Sequence, residues 1–309
     1  MTLGQSSRLL AISIDLDSAR LYRRIHGLPE QERHPDQQGL GAGFLLSATR
    51  CALELARDLH LVWTFFVVTE DLADPGLVSL LSRALEEGHA VESHSRTHPY
   101  DLVHKTIAEL DAEITGSFDD LESALGVRPA GFRAPGYSLS ESVLRAVVRA
   151  GGRFDASLLA SPPYALAKLA AIGLHAARGR RSGGLATPRR ELLMNPAPHR
   201  APFGVDGLTE IPITVTRTLR LPVLGTFLLR SPTVGRALLR GADHASVLSL
   251  AFHALDLVGK DEPSAEPFSV FEPSLFTALP ARLSTFRELL GPVARARRSV
   301  ALRNLTPSR

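Results

Sequence analysis

The chain alternates between short, nearly continuous apolar runs and longer stretches in which apolar residues recur every three or four positions. Residues 9–14, 62–68, 90–93, 130–133 and 154–157 are runs of the first kind and read as buried strands. The segment 62–68, Val-Trp-Thr-Phe-Phe-Val-Val, is the clearest, because β-branched and aromatic residues fill it. Residues 42–59, 77–87, 105–125 and 139–150 carry the helical period, and the last three run into glycines: Gly88, Gly126 and the pair Gly151-Gly152. Strand and helix alternating at this rhythm predict βαβ units and a parallel sheet. About seven such units would close a barrel whose chemistry sits at the C-terminal ends of its strands.

Two segments break the rhythm. Residues 18–39, polar and containing Gly27, Pro29 and Pro35, read as a loop. Residues 161–203 carry Pro162, Pro163, Pro188, Pro196, Pro198 and Pro202 together with a basic cluster of Arg178, Arg180, Arg181, Arg189 and Arg190. This stretch reads as a rim insertion that shapes a site, since strand-like runs resume at 208–215 and 247–252. A last helix at 276–290 and a strand at 299–302 complete the pattern. The expectation is a single catalytic domain over 1–309, with its core at about 9–302.

Composition narrows the picture. The one cysteine, Cys51, excludes an internal disulfide and falls in a helical run, where it reads as a buried structural thiol. The apolar run 9–14 is too short for a signal-peptide core, and no stretch reaches the roughly 18–20 apolar residues of a membrane span. A cytoplasmic location follows as an expectation. Residues 217–240 mix apolar runs with arginines, a pattern that core elements with solvated arginines explain first and that also suits peripheral membrane contact docking a lipid-linked sugar. Net charge is only +3, and no basic run is interleaved with aromatics, so nucleic acid is not an expected partner.

The residues able to carry chemistry cluster at strand ends. Asp15 and Asp17 close the first strand, and residues two apart in an extended strand point the same way. Two turn-forming acids would give the same pattern. His94 and His98, after the third strand, have the spacing that puts two imidazoles on one face of a helical turn and suits a divalent metal. One carboxylate and two imidazoles leave coordination positions open for water and substrate. Arg133 follows the fourth strand, where an arginine can lock a carboxylate; the turn Pro135-Gly136 after it can present a backbone N–H. Asp155 ends the fifth strand, and His253 follows 247–252. His253 is either a satisfied core histidine or a general acid whose tautomer Asp155 fixes.

In order, these residues resemble the five signature motifs of the NodB-like polysaccharide deacetylases, carbohydrate esterase family 4. Ser13-Ile14-Asp15-Leu16-Asp17 resembles the first motif, and His94-Ser95-Arg96-Thr97-His98 matches the second. Arg133-Ala134-Pro135-Gly136, Asp155-Ala156-Ser157 and Ala251-Phe252-His253 resemble the remaining three. Thr64-Phe65-Phe66-Val67 and Glu87-Gly88-His89-Ala90-Val91 resemble the family's second strand and the turn before its second motif. The resemblance implies a distorted (β/α)7 barrel that hydrolyses an N-acetyl or related N-acyl group on an amino sugar. It further implies that Asp17, His94 and His98 bind a divalent metal, zinc first, and that Asp15 is the general base. Arg133 would orient Asp15, His253 tuned by Asp155 would protonate the leaving amine, and a backbone N–H of Gly136 or Tyr137 would face the oxyanion.

Three departures shape the expected substrate. Leu16 separates the two aspartates, as in the Asp-x-Asp branch containing deformylases of lipid-carrier-linked amino-arabinose. Gly136 stands where the third motif has tyrosine, with Tyr137 one place late, and Leu158-Leu159 replace the tryptophan expected after the fourth. These point to a smaller or carrier-linked amino sugar in place of a bulk polymer. Two rivals stand beside this reading: an amidohydrolase acting on a small non-sugar substrate, and a metal-free binding protein that kept the fold.

Overall fold

The computed structural model describes residues 8–25, 28, 40–177, 189–268 and 272–306. Among these described residues, nine strands run β1 Leu9–Leu16, β2 Trp63–Val67, β3 Ala90–Ser93, β4 Gly131–Phe132, β5 Phe154–Asp155, β6 His199–Arg200, β7 Thr209–Glu210, β8 Val247–His253 and β9 Arg298–Ser299. The described residues also form ten α-helices between them: α1 Ala19–Ile25, α2 Leu40–Leu59, α3 Pro75–Glu86, α4 Ile107–Leu125, α5 Glu141–Arg149, α6 Pro162–Ala177, α7 Arg189–Leu192, α8 Gly225–Leu228, α9 Pro232–Ala242 and α10 Leu279–Ala296.

The sheet order is β6-β7-β5-β4-β3-β2-β1-β8, with β9 also on β1; every pairing is parallel except β6 with β7. Beyond β7 the chain stays extended and spans the gap between β5 and β8. Ile211 and Ile213 donate to Asp155 and Leu158, and Thr214 N then donates to Ser249 O at 2.9 Å. The sheet thus curls into the distorted barrel that the alternating pattern predicts.

Seven of the eight residues of β1 are buried, as an apolar central strand flanked on both sides must be. Its register aligns Asp15 with Phe66 of β2 and His253 of β8, so chemistry-bearing positions share one level at the C-terminal ends. The helices stop where the sequence says they should. Thr106 and Glu109 form a capping box at the start of α4, and Gly126, at φ 69°, ends it. The main core packs α2 and α10 against the sheet around Trp63, Phe252 and Phe286. Inside the barrel, Phe66 and Phe154 fill the space between small residues such as Ala11, Ala130 and Ala156. Gly131 is required there, because a Cβ would lie 2.1 Å from the Phe154 ring. Cys51 is buried, and burial pushes its thiol up to about 11, in keeping with a structural role.

Several expectations are corrected. The supposed rim loop 161–203 holds a sixteen-residue helix, α6, because Pro162 and Pro163 sit in its first turn, where proline is tolerated. Arg178, Arg180 and Arg181 of the basic cluster lie outside the described residues, as do Gly27, Pro29 and Pro35. Residues 19–25, read as loop, form α1, which buries Ala19, Leu21 and Tyr22. Only Thr209–Glu210 of the expected strand 208–215 is a regular strand, and the last strand is Arg298–Ser299.

The segment 217–240 is part core and part surface. Leu224, Leu228, Leu229 and Leu238 are buried, and Arg220 donates to the carbonyl of Leu192 at 2.7 Å. Leu219, Phe227 and Val234 of the same segment are exposed, so its apolar residues are divided between the core and the surface. Among the described residues, no helix is long and apolar enough to cross a membrane.

Candidate metal centre and acid–base site

The loop after β3 carries His94 and His98, and it is not the helical turn that their spacing suggests. Ser95 and His98 both adopt left-handed backbone, with φ of 67° and 60°. That costs energy for residues with a Cβ, so something must hold it. Glu113 of α4 does so, accepting from the backbone of Arg96 and Thr97 and from the Thr97 hydroxyl at 2.7 Å. Ser95 Oγ also accepts from His98 N at 3.1 Å. The loop therefore brings the two rings within 4.9 Å, centroid to centroid.

Asp17 completes the group. Its Oδ1 lies 3.2 Å from His98 Nε2 and 3.5 Å from His94 Nε2. All three residues are buried, and one ligand atom from each lies within 4.8 Å of the others. His94 Nδ1 is 2.7 Å from the Arg133 carbonyl, which can only accept, so the proton sits on Nδ1 and Nε2 keeps its lone pair. Asp17 Oδ1 has no hydrogen-bond partner despite being buried. An orphaned carboxylate oxygen facing two imidazole nitrogens is a donor set that fits a divalent transition metal, zinc included. Burial opposes the charge on Asp17, but His98 and His94 outweigh it and hold the carboxyl well below its usual range. Burial lowers the His98 imidazole, whereas on His94 it is outweighed by Asp15 and Asp17 together, which raise it.

Asp15 sits beside this group with a different environment. Arg133, itself fully buried, binds Asp15 Oδ1 at 2.6 Å through Nη1. The same guanidinium donates to Ser13 Oγ and to the Ala156 carbonyl, each at 2.9 Å, and lies 4.2 Å above the Phe66 ring. The arginine is fixed on four sides, so Oδ1 is held and Oδ2 is left facing the site. There it meets Tyr137 Oη at 3.4 Å and His253 Nε2 at 3.9 Å.

Two assignments from the sequence change here. Asp155 has no contact with His253. It accepts from Ser157 N and Oγ, both at 2.9 Å, and lies beside Glu210, its register partner on β7. Burial raises both carboxyls, Glu210 further because Asp155 is next to it, as expected of two acids sharing one proton. The acid near His253 is Asp256, whose Oδ2 is 4.0 Å from Nδ1 and accepts from the His253 backbone N–H at 2.9 Å. Asp256 is fixed in turn by Ser274 Oγ at 2.6 Å and Thr226 Oγ1 at 3.1 Å. The second change concerns Tyr137. Its backbone N–H closes a turn onto Ala134 O and cannot face an oxyanion; its phenol enters the site. Gly136, at φ 65°, packs against Tyr100, leaving 2.8 Å between that ring and any added Cβ.

All four tyrosines of the chain gather around this site. Tyr100 lies edge-on to His98 at 4.8 Å, and Tyr164 of α6 to Tyr137 at 6.3 Å. Tyr22 on α1 is raised well above the usual phenol range by burial and by nearby Asp17, Glu272 and Asp256. Lys168 of α6 donates to Gly136 O at 2.9 Å, tying that helix to the site loop.

Barrel and buried carboxylate–imidazole floor together define a NodB-type α/β barrel with a metal-competent site. Residues 45–154 match the family model for polysaccharide deacetylase. The match includes His94, His98 and Arg133 but stops short of Asp15, Asp17, Asp155 and His253. Among solved structures, a Mycobacterium smegmatis protein assigned as a polysaccharide deacetylase superposes with a TM-score of 0.59 at 17% identity, over 95% of this chain and 86% of its own. That likeness establishes the fold. A family 4 carbohydrate esterase from Streptomyces lividans in complex with acetate is 20% identical, with a TM-score of 0.35 over 48% of this chain and 61% of its own. A Bacillus subtilis peptidoglycan deacetylase is 21% identical, with a TM-score of 0.33 over 45% and 55%. No curated protein matches the chain.

Proposed function

We propose that this protein hydrolyses the N-acyl group, acetyl or formyl, of an amino sugar, within one catalytic domain. The observation that carries the reading is the convergence of Asp17 Oδ1 with the Nε2 atoms of His94 and His98, with Asp15 and His253 beside them at the same end of the barrel. Asp17, His94 and His98 would hold the divalent cation, which when bound polarises the acyl carbonyl and makes water a better nucleophile. Asp15, with Oδ1 held by Arg133, takes the proton of the attacking water on Oδ2. His253, backed by Asp256, supplies a proton to the leaving nitrogen.

The surroundings favour a compact or chain-terminal substrate over the interior of a polymer. Asp15, Asp17, His94 and His98 are at most 5% exposed, and α6, Tyr22 and Tyr100 enclose them. A sugar inside a long chain must extend in two directions and needs a groove open at both ends. A carrier-linked amino sugar, offering one free end, fits the enclosure, as does the Asp-x-Asp spacing.

The test is acetate or formate release from N-acylated amino-sugar monomers and short oligomers, alongside metal analysis. Zinc-loaded protein is expected to bind about one equivalent of metal and to turn over; H98A should lose both, with activity down at least ~100-fold. Turnover that persists after complete chelation, or in H98A, would defeat the reading.

A further inference from the structure

Asp15 Oδ2 and His253 Nε2 are 3.9 Å apart, beyond hydrogen-bond reach. Tyr137 Oη bridges them, 3.4 Å from the first and 3.0 Å from the second. The backbone is set for this placement. Gly136 and Tyr137 are both left-handed, with φ of 65° and 59°, and for tyrosine that conformation is strained. Ala134 O fixes the turn by accepting from Tyr137 N at 3.0 Å. Strain kept at a buried residue whose hydroxyl joins two acid–base groups asks for a function.

The hydrolysis proposed above leaves a proton on Asp15 and needs one at the leaving nitrogen. We infer that the Tyr137 hydroxyl is a proton relay from Asp15 to His253, an inference that rests on the acyl-amide hydrolysis reading.

The step balances as follows. Attack by water forms the C–O bond, moves the carbonyl π pair onto oxygen and leaves the water proton on Asp15 Oδ2. That proton passes to Tyr137 Oη as the phenol's own proton passes to His253 Nε2. The imidazolium then protonates the nitrogen as the C–N bond breaks and the oxygen lone pair reforms the carbonyl. Asp15 ends as carboxylate, Tyr137 as phenol and His253 as neutral imidazole; the products are a carboxylic acid and an amine. The two transfers at Tyr137 occur together, because burial and the nearby Asp15 disfavour a free phenolate. Tyr137 therefore acts through Asp15 and His253 without touching the scissile bond.

Acetate release from N-acetylglucosamine and its short oligomers is measured for zinc-loaded wild type, Y137F, H253Q and the double variant. Y137F is expected to lose about 100-fold in kcat with KM within about threefold. The double variant should be no slower than H253Q alone, since both changes cut one path. In mixtures of light and deuterated water, the rate should depend on deuterium fraction along a curve in wild type and a straight line in Y137F. Without turnover, nitrogen NMR of the metal-free protein at fixed pH should find the His253 Nε2 resonance displaced in Y137F. If Y137F does not fold, 3-fluorotyrosine at the chain's four tyrosines, which makes the phenol more acidic, must change kcat and the solvent isotope effect.

Y137F activity within about threefold of wild type, losses that multiply in the double variant, an unmoved His253 resonance or indifference to fluorination would each overturn the relay. Absence of release by the wild type sinks the hydrolase reading, and the relay with it; release by Y137F at a rate within about threefold of an active wild type sinks the relay alone.

Discussion

Replacing Arg133 by methionine probes the most buried charge at the site. Arg133 and Asp15 are 0% and 1% exposed, and among the described residues their 2.6 Å contact is the only ion pair given to Asp15 by a permanently charged group. R133M also removes the donors to Ser13 Oγ and the Ala156 carbonyl and the cation above Phe66. The dominant effect is the carboxylate left buried without its cation, worth about 3–5 kcal/mol. Methionine keeps much of the packing volume, so cavity formation adds little. At roughly 2–4 °C per kcal/mol, the melting temperature should fall by about 10 °C.

Differential scanning calorimetry of wild type, R133M, D15N and R133M/D15N resolves the cause. If the stranded charge dominates, D15N in the R133M background restores most of the loss, and the two substitutions are strongly non-additive. A loss in R133M below about 1 kcal/mol, or a double variant as unstable as the sum of the singles, would show that the pair does not carry that energy.

Asp256 and Glu191 give two more expectations. D256N keeps the acceptor for the His253 backbone N–H but removes the charge 4.0 Å from Nδ1, so kcat should fall about tenfold with zinc content unchanged. Loss of metal in D256N, or an unchanged kcat, would contradict that role. Burial, partly offset by Arg190 and Lys168, pushes Glu191 up to about 7. A carboxyl raised on folding gives its full stabilisation below its unfolded value near ~4.3 and loses it as pH rises through the folded value. The urea stability of wild type relative to E191Q should therefore decline from about pH 5 to about pH 7, leaving E191Q the more stable protein at about pH 8. A wild-type advantage that grows through the same window would refute the assignment.

The barrel was legible because its strands are apolar runs long enough to stand out, and its helices end on glycines that need left-handed backbone, as at Gly88 and Gly126. The candidate site was legible in part, because strand ends in a parallel sheet all point to one face. What stayed hidden depends on which strands are neighbours. Asp155 is paired by register with Glu210, more than fifty positions away, and no local pattern announces that partner. Asp256 could have been found, since it lies three residues past His253, but it sits in a short 3-10 turn that an apolar-run search passes over. The phenol of Tyr137 was missed because motif spacing assumes a regular turn, whereas Gly136 and Tyr137 are both left-handed and the second carries its own side chain into the site. Helix α6 was hidden by reading Pro162-Pro163 as punctuation when the pair opens a helix.

The gathering of every tyrosine at one end of the barrel has an optical consequence. The lone tryptophan, Trp63, is stacked on Phe286 deep in the main core, its indole N–H bonded to Ala52 O at 2.9 Å. Ultraviolet signals from the two chromophores are thus divided by location: tyrosine absorbance reports on the floor and walls of the candidate site, and tryptophan emission on the integrity of the core. A cation, an inhibitor or a substrate entering among Tyr22, Tyr100, Tyr137 and Tyr164 would write itself into a tyrosine difference spectrum while tryptophan emission stayed still, giving a label-free binding assay.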